Sequence, residues 1–275
     1  MTSGVPYAEV IGDPVGHSKS PLIHNFWLAK LGITGVYRTC HVAPEELQAY
    51  LEHRREDPVW TGCNLTIPHK IAALALVDEI DQSAADIGAA NCIVPKNGKL
   101  VAFNTDGSGV DAAIPGVHNS VCIIGAGGAA RAAIPTLDVM CALDIRVVAR
   151  DPIKARHALS SLPYDLAFYP FAEAAEAMRN VDGIINASPL GMTGQWPMPD
   201  NILAALETVA PDAYVFDMVY SPLKTGLLQK AEAIGLTAVD GLIMLVGQAG
   251  GAFKLFFGEP APREHDAELR GLLTA

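Results

Sequence analysis

The chain is short of positive charge: 19 Lys and Arg stand against 30 Asp and Glu, a formal net charge of −11. Nucleic acid and anionic membrane surfaces need a basic footprint, so neither is expected as a partner. An anionic ligand must be held by local cations and backbone N–H groups. Cysteine is scarce as well. The five thiols, at 40, 63, 92, 122 and 141, are odd in number and scattered, which argues against a disulfide framework and fits buried free thiols in a reducing compartment. They lack the close pairs of a metal site, and no metal is expected. A long apolar run is also missing. The longest uncharged stretch, 112–130, contains Pro115, His118, Asn119 and part of a glycine loop, so it cannot span a bilayer. The start, Met1-Thr2-Ser3-Gly4-Val5-Pro6, has no basic region followed by an apolar core. The expected location is the cytoplasm.

What the chain does have is length and apolar content. Its 275 residues, 50% of them hydrophobic, suffice for two domains with a core each. Short β-branched runs at 9–12, 36–42, 62–66, 89–95, 121–124, 145–149, 182–186 and 214–217 read as buried strands. Helical stretches at 21–31, 44–53, 68–76, 128–140, 152–159, 171–178, 202–209 and 223–234 alternate with them. Pro21, Pro44 and Pro152 stand at first helical positions, with Ser20 and Asp151 as capping side chains before two of them. Asn97-Gly98, between Ile93-Val94 and Leu100-Val101, predicts a type I′ hairpin near the end of the first domain. The apolar stretch 241–258 has helical spacing and predicts a last helix that packs back onto that domain. The fold class is α/β: an N-terminal α/β substrate domain, 1–106 with 241–275, and a Rossmann-type doubly wound nucleotide-binding domain, 107–240.

The sharpest single motif is Val121-Cys-Ile-Ile124 running into Gly125-Ala126-Gly127-Gly128-Ala129-Ala130-Arg131. An apolar strand, a tight glycine turn and an Ala-rich helix start form the dinucleotide-binding fingerprint, with Ala130 in the third, helix-packing position. Ahead of it lie the candidates for chemistry. Ser18 and Ser20 fall between a strand and a helix, where two hydroxyls can bind a polar ligand; an N-cap by Ser20 is the plainer use. Lys70, in Asn64-Leu-Thr66-Ile-Pro68-His-Lys70, occupies a first helical turn, an unfavourable place for a cation, and could protonate a carbonyl oxygen. His69 reads as a packing or surface residue. Asn91 and Asp106 bracket the hairpin and bring an amide and a carboxylate to the end of the first domain, although Asp106-Gly107 also suits a turn. Arg150-Asp151 follows the second nucleotide-domain strand, where ribose is read. Asn186-Ala-Ser188 and Asp217-Met218 leave later strand ends, and Gln248 sits mid-helix as an amide in need of a partner.

In this order the blocks resemble the shikimate dehydrogenase family along essentially the whole chain. They are His17-Ser18-Lys19-Ser20-Pro21, the stretch from Asn64 to Lys70, Gly88-Ala-Ala-Asn91, Asn104-Thr-Asp106-Gly107, Gly125–Arg131, the stretch from Asn186 to Met192, Asp217-Met-Val-Tyr220 and that from Gly241 to Gln248. The resemblance implies reversible reduction of 3-dehydroshikimate to shikimate with a nicotinamide cofactor. It implies Lys70 and Asp106 as the catalytic pair, and Ser18, Ser20, Thr66, Asn91, Tyr220 and Gln248 as substrate-binding residues. Gly125, Ala126, Gly127, Gly128 and Ala129 would take the pyrophosphate, and Arg150, Asp151 and Lys154 the adenosine end. Ser188, Met218 and Gly241 would surround the nicotinamide side.

Departures from the family pattern are informative. NADP-using members usually carry Asn-Arg-Thr and a further Arg where this chain has Ala149-Arg150-Asp151 and Lys154. NADP(H) is the family's default, while the Asp151 carboxylate opposes a 2′-phosphate and favours NAD(H) use. Cys92 replaces a frequent Thr, a change expected to be neutral. A quinate/shikimate dehydrogenase relative, which often has Thr at the place of Ser20, is one alternative; a non-enzymatic dinucleotide sensor is the other, disfavoured because a sensor needs no proton donor. A monomer or homodimer is expected.

Overall fold

The computed structural model describes residues 4–116, 118–140 and 142–275. Cys141 and the first three residues, on which part of the thiol and N-terminal readings rested, lie outside the described residues. The chain forms two compact units, one of residues up to 105 with 248–275, the other of residues 106–247.

The first unit contains β1 (Tyr7–Gly12), α1 (Ser20–Leu31), β2 (Val36–His41), α2 (Leu47–Arg55), β3 (Trp60–Leu65), α3 (His69–Ala72), β4 (Glu79–Ile80), α4 (Gln82–Ile87), β5 (Cys92–Lys96) and β6 (Lys99–Phe103). Its sheet runs β2-β1-β3-β5-β6-β4. β1 is parallel to both its neighbours, whereas β5 is antiparallel to β3 and β6. The hairpin between β5 and β6 turns on Asn97 and Gly98, both at positive φ (53° and 77°), as a type I′ turn requires. Every residue of β1 is buried, including Glu9. That carboxylate is compensated by Arg54 at 2.8 Å, Arg38 at 2.9 Å and the Tyr50 hydroxyl at 2.7 Å, the condition under which a buried charge is tolerated.

The second unit contains α5 (Asp106–Ala113), β7 (Ser120–Ile124), α6 (Gly128–Val139), β8 (Asp144–Ala149), α7 (Pro152–Leu159), β9 (Leu166–Pro170), α8 (Ala174–Ala177), β10 (Gly183–Asn186), α9 (Asp200–Ala205), β11 (Tyr214–Asp217), α10 (Gly226–Ala233) and β12 (Thr237–Val239). All the strand pairs are parallel, in the order β12-β11-β10-β7-β8-β9. This is the doubly wound order, with its switch point between β7 and β10. The side chains of β7 alternate between two cores: Val121 and Ile123 join Ile134 and Leu137 on one face, Cys122 and Ile124 join Met178 and Ile202 on the other. Helices cover both faces, so the central strands read as continuous apolar runs.

Two more helices close the chain, α11 (Gly241–Phe257) and α12 (Asp266–Thr274). The boundary expected at 240/241 lies instead at 247/248, inside α11. A helix start is the visible punctuation in sequence, but residues up to Gly247 pack with α5: a Cβ on Gly247 would come within 3.1 Å of Ala112 and Gly109. Ala252 and Phe256, further along α11, join Ala8, Val10 and Tyr37 in the first unit's core. The other boundary falls at 105/106 rather than 106/107, because Asp106 already begins α5. A second correction concerns Ser20, which is the first residue of α1 and not its cap. Lys19 holds the cap position without a side-chain bond, and the Ser18 hydroxyl accepts from Ser20 N at 3.3 Å. Pro44 opens a short 3₁₀ turn before α2 and not α2 itself.

Among the aromatic residues between α1 and α11, His24 is fully buried and lies parallel to Tyr37 at a centroid distance of 4.0 Å. Neither ring nitrogen has a hydrogen-bond partner among the described residues, and burial lowers its pKa from 6.5 to about 3. The unfolded chain therefore takes up a proton near pH 6.5 that the folded chain refuses until far lower pH. Stability from this residue is present above about pH 6.5 and is lost as pH falls, by about 1.4 kcal/mol per unit, or about 2 kcal/mol at pH 5. His24→Phe should remove that component, so the stability difference between parent and variant, measured by urea unfolding, should change by this amount between pH 7 and pH 5. Parallel pH profiles would contradict the assignment.

Candidate active site

In the first unit, the ends of β1 and β3, the start of β5 and the helix α11 bring three of the six expected substrate-binding residues, Asn91, Gln248 and Ser20, onto one hydrogen-bonded framework. Asn91, 2% exposed, is its centre. Its amide nitrogen donates to Thr105 Oγ1 at 2.9 Å and to Gln248 Oε1 at 3.4 Å, while its oxygen accepts from Thr105 N at 2.8 Å. Its backbone oxygen accepts from Leu65 N at 2.8 Å and Asn64 Nδ2 at 3.0 Å. Asn64 Oδ1 in turn accepts from the Tyr37 hydroxyl at 2.6 Å, beside which the Ser20 hydroxyl lies. The antiparallel register that sets Asn64 against Cys92 makes this chain possible. Thr66 fits because residue 12 is glycine: a Cβ there would meet Thr66 Cγ2 at 2.3 Å.

Lys70 lies in α3, half-buried, with its backbone oxygen accepting from Ala90 N at 2.7 Å, which ties its turn to the stretch leading into Asn91. His69 is 1% exposed and its ring bonds Val42 O at 2.7 Å, a packing role. Asn64, Thr105 and Tyr37 are the framework members to which the sequence assigned no function. The first two lie inside motifs already singled out; Tyr37 has no local signal, because its partner is distant in sequence.

In the second unit, the loops after β7, β8, β9 and β10 line a pocket of about 580 Å³. Gly125 turns the chain at φ +104° with its N–H on Val148 O at 2.9 Å. A side chain there would press within 3.0 Å of Ser188 and against Ala187, so the glycine lets the two loops touch. Above Gly127 and Gly128 the space is open for at least 4 Å. α6 begins here without a side-chain cap, which leaves its first N–H groups facing that opening. Ala130 is fully buried, as a helix-packing position should be.

Of the expected cofactor residues, Gly125, Ala126, Gly127, Arg150 and Ser188 line this pocket. Gly128, Ala129, Asp151, Lys154, Met218 and Gly241 stand outside its lining. Asp151 caps α7, accepting from Ile153 N at 3.1 Å and Lys154 N at 3.0 Å, with Lys154 Nζ at 3.6 Å. Those backbone donors, then the Lys154 charge, hold its carboxyl below the ordinary range. Gly241 and Met218 are brought together by the main chain: a Cβ on Gly241 would lie 2.5 Å from Met218 O. Asp106 is buried at the start of α5. Tyr220 is half-buried in the loop after β11, where desolvation raises its phenol. Among the described residues no group of His, Cys, Asp and Glu is arranged to hold a metal ion.

Residues 10–93 match the family model described as the shikimate dehydrogenase substrate binding domain. A shikimate dehydrogenase (NADP(+)) of Sphingopyxis alaskensis is 45% identical over 274 residues, 98% of this chain and 97% of that protein. One from Rhizobium meliloti is 41% identical over 92% of this chain and 90% of its own length. The structure of Thermus thermophilus shikimate 5-dehydrogenase in complex with NADP(H) and shikimate is similar at a TM-score of 0.82 and 32% identity, covering 98% of this chain and 99% of that one. That of the Listeria monocytogenes enzyme in complex with shikimate and NAD is similar at 0.86 and 26% identity, covering 98% of each.

Proposed function

Because this chain belongs to the shikimate dehydrogenase family, we propose that it catalyses the reversible NADP(H)-linked reduction of 3-dehydroshikimate to shikimate. The observation that carries the reading is the 45% identity over the full chain to a named shikimate dehydrogenase. In this reading the first unit holds the substrate and the second the dinucleotide, and the enzyme works in the cytoplasm as a monomer or homodimer.

The chain's residues fit a dinucleotide. The open faces of Gly127 and Gly128, the uncapped start of α6 and the switch-point pocket suit a pyrophosphate. Gly125 to Ala129 would hold it and Arg150 the adenosine end, with Ser188, Met218 and Gly241 around the nicotinamide, which when bound exchanges a hydride with the substrate carbon. Asp151 opposes a 2′-phosphate less than its charge suggests, since two N–H groups and Lys154 already engage it. NADP(H) is then the main cofactor and NAD(H) a weaker one.

Lys70 gives a proton to the carbonyl oxygen during reduction and takes it from the hydroxyl in the reverse direction, and Asp106 orients and relays for it. Ser18 and Ser20 hold the carboxylate, and Thr66, Asn91, Gln248 and Tyr220 the ring hydroxyls. The bonds among Asn91, Thr105 and Gln248 keep the two amides in one orientation before substrate arrives, which lowers the ordering cost of binding.

Ser20→Ala should raise KM for shikimate by about tenfold with a smaller change in kcat, because the contact exists in ground and transition states alike. Steady-state kinetics with shikimate and with quinate decide the substrate: quinate should be turned over poorly. Unaltered kinetics in the variant, or quinate as the better substrate, would count against this assignment of the site.

A further inference from the structure

We propose that Trp196 is an adenine-stacking residue of the dinucleotide pocket; the inference rests on the reading of the second unit as nucleotide-binding and extends it to a side chain outside the fingerprint. Of the chain's 3 tryptophans, Trp27 and Trp60 are buried at 0% and 2% exposure, whereas Trp196 is 79% exposed. A large apolar ring left in water is informative, because a folded chain ordinarily covers it.

The ring is not carried on a loose tip. Gly191 N donates to Trp196 O at 2.8 Å, Gln195 N to Met192 O at 2.9 Å and Thr193 N to Ser221 O at 2.8 Å. Asn186 Nδ2 holds Leu190 O at 3.1 Å, and Met198, two residues on, is buried in the core beneath. These bonds hold the backbone that carries the indole.

Its place is the wall of the pocket that also contains the glycine turn, Arg150 and Phe171. Arg150 follows β8, the strand end at which the adenosine half of a dinucleotide is read. An indole and a guanidinium are the two side chains whose planar faces best receive a purine. The remaining wall is mostly apolar, with Leu190, Pro197 and Pro199 beside the polar Ser188 and Gln195. A flat base joined to a phosphate group that reaches the glycine turn matches these features.

The test uses adenosine 2′,5′-bisphosphate, which carries the adenine end of NADP without the nicotinamide. Titrated into the wild-type protein, it should change tryptophan emission, and Trp196→Phe should abolish that change while keeping Kd, by calorimetry, within about threefold. Trp196→Ala should weaken Kd by roughly 5- to 150-fold, the range for loss of one base stack, and raise KM for NADP without raising KM for shikimate. If Trp196→Ala binds as tightly as the parent, or Trp196→Phe loses as much as Trp196→Ala, stacking by Trp196 is wrong while the dinucleotide reading stands. A wild-type protein that does not bind the bisphosphate overturns both.

Discussion

Lys70→Ala is expected to lose about 10²–10⁴-fold in kcat, the usual cost of removing a general acid or base, with no loss of thermal stability. The backbone oxygen of residue 70, which alanine keeps, accepts from Ala90 N. The residue stands in a helix of only four residues, His69–Ala72, too short for a terminal dipole to favour or disfavour a cation at this position. Lys70→Arg sharpens the test: it keeps the charge, but a guanidinium does not release its proton in this range. It should stay close to the alanine variant in kcat. Turnover of either variant within a few-fold of the parent would assign the proton to another group.

Asp217→Ala should be the most destabilising single substitution near the pocket of the second unit, by about 3–6 kcal/mol. The carboxylate is fully buried and accepts from Asn186 Nδ2 at 2.9 Å, Val219 N at 3.0 Å and Thr225 Oγ1 at 2.5 Å. Burial raises its pKa even against those donors. Removing it takes the acceptor from three buried donors, at about 1–2 kcal/mol each, since Asn186 Nδ2 keeps Leu190 O. Asn186 also holds Leu190 O at the root of the Trp196 loop, so KM for NADP should rise along with the fall in unfolding free energy. Denaturant unfolding that shows a loss below about 1 kcal/mol would mean that neighbouring groups or water replace the carboxylate, contrary to the network described.

The glycine fingerprint was legible because its requirements are local: Gly125 needs its positive φ, Gly127 and Gly128 an open face, Ala130 a small buried side chain. The central strands were legible because burial on both faces writes an unbroken apolar run. Three of the four edge strands carry no such mark. β4, β9 and β12 are the outermost strands on one or other side of their sheets and are two, five and three residues long, and all three escaped the sequence reading. α5 escaped for another reason: Asn104-Thr-Asp106-Gly107 looks like a turn, and the start of a helix and the middle of a turn use the same residues.

The hydrogen-bonded framework around Asn91 shows where a sequence stops informing. Asn91 and Gln248 could each be named as amides in want of partners, but their meeting through Thr105 depends on the β5–β6 hairpin and on the return of α11. Tyr37 on Asn64 depends on β2 and β3 flanking β1. Asp151 had two readings, helix cap and ribose neighbour. The cap was visible in the Asp-Pro pair and is what the carboxylate does.

The most direct measurement is shikimate-dependent reduction of NADP⁺ by the purified wild-type protein, followed through the near-ultraviolet absorbance of the reduced nicotinamide. The account predicts steady turnover that saturates in both substrates, with NAD⁺ and quinate each giving a lower kcat/KM. An absence of shikimate-dependent NADPH formation, by a folded protein that binds the nucleotide, would contradict it.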